Sequence, residues 1–354
     1  MSPSRVAWVD YAKGICIILV VMMHAVTSYA VLVPGWTWLH NVVEFAFPFR
    51  MPDFFLIAGL FLSRTIDGPL TNYIDKKVVH FFYFYALWLV IQLFFVELDV
   101  LVANPAAWGA QVLWGLVDPY QTMWFVYMLA VFYIFTRLIR KVPVAFVFAG
   151  AALLQTFYHA GFETGWSVID RFMDRYLYFF VGYACAPVVF QFAAKAGERA
   201  LVTIPLLVAW GVLNWTMVQY DLHESPLTSI VMAFMGAGAV VATGSLLSRT
   251  KIGEPIRYAG ANSIVVYLSF VIPMKVAHKF FFMTGVVSDV GTIMAITTAF
   301  AVVTPLVFHY FIKDTPLNFL YVRPQMFRLT GPPKSREANA EAPIAPQVRA
   351  PDAT

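Results

Sequence analysis

GICIILVVMMHAVTSYAVLV, residues 14–33, is a run of twenty residues without Asp, Glu, Lys or Arg. As a helix rising ~1.5 Å per residue it covers about 30 Å, the thickness of a bilayer's hydrocarbon core. It is too long for the apolar segment of a cleavable leader, although basic residues precede it and small residues follow near Ala30. It is therefore expected to be a first transmembrane helix. Nine further apolar runs, at 39–62, 78–97, 122–139, 143–159, 173–193, 200–218, 226–247, 261–283 and 288–312, extend the pattern. The expected fold is an all-α polytopic membrane helical bundle of about ten transmembrane helices, forming one domain over residues 5–320.

Composition points the same way. Of 354 residues, 60% are hydrophobic and 12% charged, against roughly 25% charged in an ordinary soluble domain. The lipid bilayer is the expected solvent. The net charge of +4 is spread over the ends of apolar runs, which argues for topology and against nucleic-acid binding. Cys16 and Cys185 both lie in apolar runs and support neither a disulfide framework nor a metal site.

Basic residues alternate between connections. Arg5 and Lys13, then Arg64, Lys76 and Lys77, then Arg137, Arg140 and Lys141 mark one side. Lys195 and Arg199, then Arg249, Lys251 and Arg257, then Lys313 and Arg323 continue it, while the opposing connections hold almost none. By the positive-inside rule both termini are expected in the cytoplasm. The stretch 98–121, broken by Pro105, Gly109, Gly115 and Pro119, reads as an extracytoplasmic interfacial or re-entrant element. Residues 329–354, rich in Pro, Ala and charge without periodicity, read as a disordered cytoplasmic tail.

Ionisable residues inside such runs are costly and mark candidate sites. His24 lies ten residues into the first run, near the membrane midplane. Arg50 lies eleven residues into the second run, which returns antiparallel, so the two are expected at similar depth. His24 has a plainer reading as a neutral histidine bonding a neighbouring helix. Arg50 has one as the partner of Asp53 or Glu44. Pro48 and Pro52 interrupt the helical ladder around Arg50, freeing carbonyls that need partners or line a cavity. Lys275, His278 and Lys279, at i, i+3 and i+4, are expected on one face, for snorkelling or for binding an acceptor. Asp170, Arg171, Asp174 and Arg175 open the sixth run on the outer side, where they are expected to form intrahelical ion pairs at i+3 and i+4 or else to rim a substrate entrance. No phosphate-cradling loop, zinc-ligand spacing or Gly-x-Ser-x-Gly elbow occurs, so any chemistry is expected from intramembrane groups.

The run Trp8-Val-Asp-Tyr-Ala-Lys-Gly-Ile-Cys-Ile-Ile-Leu-Val-Val-Met-Met-His24 resembles the opening of the acyltransferase 3 family of membrane O-acyltransferases, particularly its fucose 4-O-acetylase-like members. Phe49-Arg-Met-Pro-Asp-Phe-Phe-Leu-Ile-Ala-Gly59 resembles the family's second-helix motif, with weaker matches at 123–129 and 260–268. The resemblance implies a ten-helix core, an acyl-CoA donor at the cytoplasmic face and a carbohydrate or lipid-linked glycan acceptor reached from the other side. The chain departs from the pattern in three places. Lys13 stands where arginine is usual, Arg50 where many members have histidine, and Ser269 follows Tyr267-Leu268 where histidine is frequent.

The expected reaction moves an acyl group, acetyl first among candidates, from acyl-CoA to a sugar hydroxyl of a cell-envelope glycan. His24 is the expected general base, its ordinary pKa near 6.5 suiting proton abstraction at neutral pH. Arg50 is expected to stabilise developing negative charge. Lys13, helped by Arg137 or the 249–257 loop, and Asp10 are the expected donor-binding residues, Asp10 being also a candidate to orient His24 or to pair with Lys13, and Glu44 and Lys275 are the acceptor-binding ones. No permanently bound cofactor is expected, and the setting is expected to be a bacterial inner membrane. Two other classes fit the same charges: a transporter or glycan flippase, which needs no acyl-CoA, and a scaffold subunit, in which changing His24 alters assembly only.

Overall fold

The structure is a computed structural model describing residues 6–250 and 252–331. Among these residues the regular backbone is helical, with no strand. Six helices are long and apolar enough to cross a membrane: Ala7–Ala30, Leu70–Val96, Gln121–Leu138, Ala200–Gln219, Pro226–Ser248 and Val290–Ile312. Two bent pairs raise the number to eight: Ser167–Ala184 with Ala186–Glu198, bent by 77°, and Ser263–Ser269 with Val271–Thr284, bent by 54°.

Each of the ten predicted runs thus has a helical counterpart, but two do not qualify as spans on length and composition. The run 143–159 is the 16-residue helix Val144–His159. The run 39–62 divides into Trp38–Ala46 and Arg50–Gly59. Its break has a local cause, because Pro48 carries no N–H to continue the ladder. The Phe47 and Phe49 amides turn instead to the Glu44 and Ala46 carbonyls, three residues back.

Lipid provides no hydrophobic drive between helices, so close packing relies on small residues. A Cβ at Gly59 would meet the Phe179 carbonyl, and one at Gly182 the Leu56 carbonyl, so Arg50–Gly59 and Ser167–Ala184 cross backbone to backbone. Gly14 and Gly260 bring the first helix equally close to Glu254–Ala261. Within the small-residue stretch 236–244, Gly236 faces Phe49 and Gly244 faces the Trp8 carbonyl, so the stretch is satisfied inside one chain. Rings in edge-on and tilted contact fill the centre, among them the fully buried Phe55, Phe132, Phe179, Phe270 and Tyr176.

The 98–121 stretch folds as two short helices, Leu98–Ala103 and Pro105–Gly115, followed by a 3-10 turn at Gln121–Met123. Tyr85 fastens it by donating its hydroxyl to the Gly115 carbonyl and accepting from the Tyr120 amide. At the opposite end of Leu70–Val96, a π-helical turn at Asp75–Val79 holds the buried Asp75. Arg323, itself only 6% exposed, donates Nη1 to the Asp75 carbonyl at 2.8 Å and Nη2 to its Oδ2 at 2.7 Å. The Leu329 amide reaches Asp75 Oδ1 at 2.7 Å, and Thr330 reaches Oδ2 at 3.2 Å. The tail expected from 329 therefore begins with two anchored residues, and its remainder, from 332, lies outside the described residues.

Candidate active site

His24 lies six residues before the end of Ala7–Ala30, about 9 Å along the axis from that end. Its neighbours Val20, Val21, Ala25 and Val26 are buried, while His24 is half-buried. The side chain therefore keeps some accessible surface, as do its neighbours Met22, Met23 and Ser28. Phe270 covers one side of the imidazole, with ring centroids 5.3 Å apart. That phenylalanine sits at the bend between Ser263–Ser269 and Val271–Thr284, so the broken helix supplies the ring.

Arg50 opens the second half of the broken helix and is 7% exposed. Its Nη1 donates to the Val43 carbonyl at 3.2 Å, an acceptor released where the first half ends, and its guanidinium lies 5.1 Å from the Phe47 ring. Its Nε is buried without an acceptor. The positive charge acts electrostatically on His24.

The plainer pairings for Arg50 do not form. Asp53, wholly buried, accepts from the Cys16 thiol at 3.6 Å. Glu44, half-buried, acts on Arg50 electrostatically, but no ion pair joins them among the described residues. The reason is the break itself, which satisfies the guanidinium with a carbonyl first.

The Asp170–Arg175 cluster differs from expectation as well. No i+3 or i+4 ion pair forms within it among the described residues. Asp174 instead pairs with Arg175 Nε at 2.8 Å and with His159 Nε2 at 3.2 Å. Asp170 accepts from the Thr164 amide and hydroxyl, both at 2.8 Å. Arg171 lies 4.4 Å from the Trp124 ring. Packing decides this outcome: the helix crosses Arg50–Gly59 so closely that Arg175 comes within electrostatic range of Arg50. The sequence reading gave Arg171 and Arg175 to ion pairs or an entrance rim and did not bring Arg175 to Arg50. Their signal was their four-residue spacing, which sets both on one face of a helix.

Aromatic rings connect the two sides of the centre. Phe125, beside Trp124, packs on Tyr267 at 5.4 Å, Tyr267 on Phe270 at 6.5 Å, and Phe270 on His24.

The expected donor-binding residues lie at the other end of the first helix. Lys13 is eleven positions from His24, roughly 16 Å along the axis. It is half-buried and acts electrostatically on Lys77, whose Nζ lies 4.8 Å over the Tyr133 ring. Asp10 is buried where the first helix meets Glu254–Ala261 and acts on Arg257. Arg137, at the same end, lies over Tyr73 and donates to the Gly68 carbonyl at 2.8 Å.

Lys275 and Lys279 are exposed, whereas His278 is buried against Tyr29 at 5.1 Å. The three therefore share no common environment, because His278 lies toward the packed side of the helix and the lysines toward its outside.

These features define a polytopic helical membrane protein with a histidine–arginine centre built at a broken helix. The acyltransferase 3 family model, described as an acyltransferase domain, matches residues 6–311, and the chain belongs to that family. It is 30% identical over 175 residues to the inner membrane protein YcfT of Escherichia coli (strain K12). That match covers 41% of this chain and about half, 48%, of the relative. No solved structure matches the chain.

Proposed function

We propose that the chain transfers an acyl group from acyl-CoA to a hydroxyl of a carbohydrate or lipid-linked glycan of the cell envelope. One observation carries this reading: in a chain of an acyltransferase family, His24 keeps accessible surface inside the bundle within electrostatic range of the buried Arg50. In the proposed reaction a neutral His24 nitrogen takes the acceptor hydroxyl's proton as its oxygen attacks the thioester carbonyl. The tetrahedral intermediate's oxyanion faces Arg50, a service worth about 3 kcal/mol where such donors are deleted in other enzymes. Collapse breaks the carbon–sulfur bond and CoA leaves with the proton held by His24.

Lys13, with Arg137, holds the donor phosphates in this reading, and Asp10 orients that end of the helix. A donor entering there needs its thioester arm to cross the roughly 16 Å to His24. Glu44 and Lys275 remain the proposed contacts for the acceptor. The alternating basic residues support ten spans with both termini in the cytoplasm. The relative's description as an inner membrane protein supports the same membrane here.

The test is label transfer from radiolabelled acetyl-CoA, with thiol release, in membranes holding equal folded amounts of wild type or His24→Ala and envelope glycan as acceptor. Label should enter glycan with wild type and fall by roughly a hundredfold or more in the variant. Equal transfer by both removes His24 as the base. No transfer with any acyl donor or acceptor favours a transporter.

A further inference from the structure

Three arginines surround the centre, and the proposed chemistry uses one. Arg50 and Arg171 each bury an Nε without an acceptor, and neither has an ion-pair partner among the described residues. Arg175 holds Asp174 at 2.8 Å, but that carboxylate is shared with His159. The other acids nearby are occupied or distant: Asp170 with Thr164, Asp53 with Cys16, and Glu44 beyond ion-pair distance. Arg175 meanwhile acts on both Arg50 and Arg171 as a like charge.

Like charges gathered inside a membrane protein are costly and are retained where they meet a ligand. Trp124, Phe125, Tyr267 and Phe270 form a continuous run of packed rings from Arg171 to His24. Planar guanidinium groups match the two oxygens of a carboxylate or phosphate in bidentate fashion.

The geometry points to an anion subsite formed by Arg171 and Arg175, with Arg175 in electrostatic range of Arg50, filled by a carboxylate on the acceptor. Resting on the acyl-transfer reading, the acceptor is an acidic glycan, its carboxylate held by this pair while its hydroxyl meets His24. A neutral sugar leaves Arg171 uncompensated and Arg175 with only the carboxylate it shares with His159, so the same residues that bind the acid select against the neutral analogue. A phosphate would fit the same groups, and the donor's own phosphates are its nearest source.

The experiment uses the full chain in nanodiscs of neutral lipid and follows thermal unfolding with four probes. These are a uronic-acid oligosaccharide, the same oligosaccharide after carboxyl reduction, acetyl-CoA, and a phosphate-free acetyl thioester. The uronate should raise the midpoint and its reduced form should not. Arg171→Gln and Arg175→Gln should each weaken uronate binding by roughly tenfold or more, while Arg140→Gln, at a separate surface pair, leaves it unchanged. If Arg175→Gln fails to fold, Arg171→Gln and Arg175→Lys carry the test.

Equal shifts from the acidic and neutral oligosaccharides overturn the proposal. So does a uronate effect that survives in the variants, or the absence of any uronate effect. A shift by acetyl-CoA alone, lost in the variants, also overturns it and assigns the arginines to the donor. Label transfer to the same oligosaccharides separates this proposal from the one beneath it. Transfer without preference for the acid keeps the acyltransferase and removes the subsite, whereas uronate binding without transfer keeps the subsite and removes the reaction.

Discussion

Asp289 caps the helix Val290–Ile312, accepting from the Thr292 amide at 2.7 Å and its hydroxyl at 2.6 Å, with Trp38 Nε1 at 3.4 Å. The Thr292 hydroxyl and then its amide hold this carboxyl below its ordinary range. A carboxyl depressed in the folded protein contributes stability above its unfolded value near 3.9, and loses it as pH falls through the lower folded value. Asp289→Asn should therefore remove part of the acid-side fall in the unfolding midpoint and change the midpoint's pH dependence little near neutrality; parallel curves for variant and wild type would contradict this. At this scale the sequence was readable where a charge broke an apolar background, as with His24 and Arg50. It was not readable where a charged cluster had a local explanation. Asp170-Arg-Phe-Met-Asp-Arg175 reads as a self-paired helix start, and only the crossing with another helix turns two of its arginines inward.

The crossing of Arg50–Gly59 and Ser167–Ala184 belongs to the scale of elements. A Cβ at Gly182 would strike the Leu56 carbonyl, which is backbone and cannot rotate away, whereas Gly150 faces open space. Gly182→Ala should lower stability by about 1–3 kcal/mol through overpacking. Gly150→Ala, in the interior of a helix, should be neutral or raise it by roughly 0.5–1 kcal/mol. Matched unfolding of the two variants checks the contrast, and because the crossing sets Arg175 near Arg50, Gly182→Ala should also weaken any ligand held there. Pro48 and Pro52 made the break in the second run legible. Which glycines face a backbone was not legible, because small residues mark both crossings and exposed positions.

For the whole molecule, hydropathy located the long apolar helices, passed over the short Glu254–Ala261, and overstated how many cross as unbroken rods. Apolar composition continues through a bend, so hydropathy alone hid the 77° and 54° turns in the runs at 173–193 and 261–283, whose only local marks are Pro187 and Pro273 just beyond them. Topology is checked by single cysteines in a background lacking Cys16 and Cys185. Thr65 and Thr284 are both exposed and fall on opposite sides in the proposed arrangement. Thr284→Cys should react with an impermeant thiol reagent in intact cells and Thr65→Cys only after permeabilisation. Reaction of both in intact cells would break the alternation.

The ties from Asp75 to Arg323 and Thr330 carry a consequence for biogenesis. Arg323 is 248 positions beyond Asp75 in the chain. At about 5–20 residues per second, a ribosome needs roughly 12–50 s to deliver the arginine after the aspartate. Through that interval Asp75 carries a carboxylate without its counter-ion, so the tie at this end of the bundle is among the last contacts that synthesis makes available.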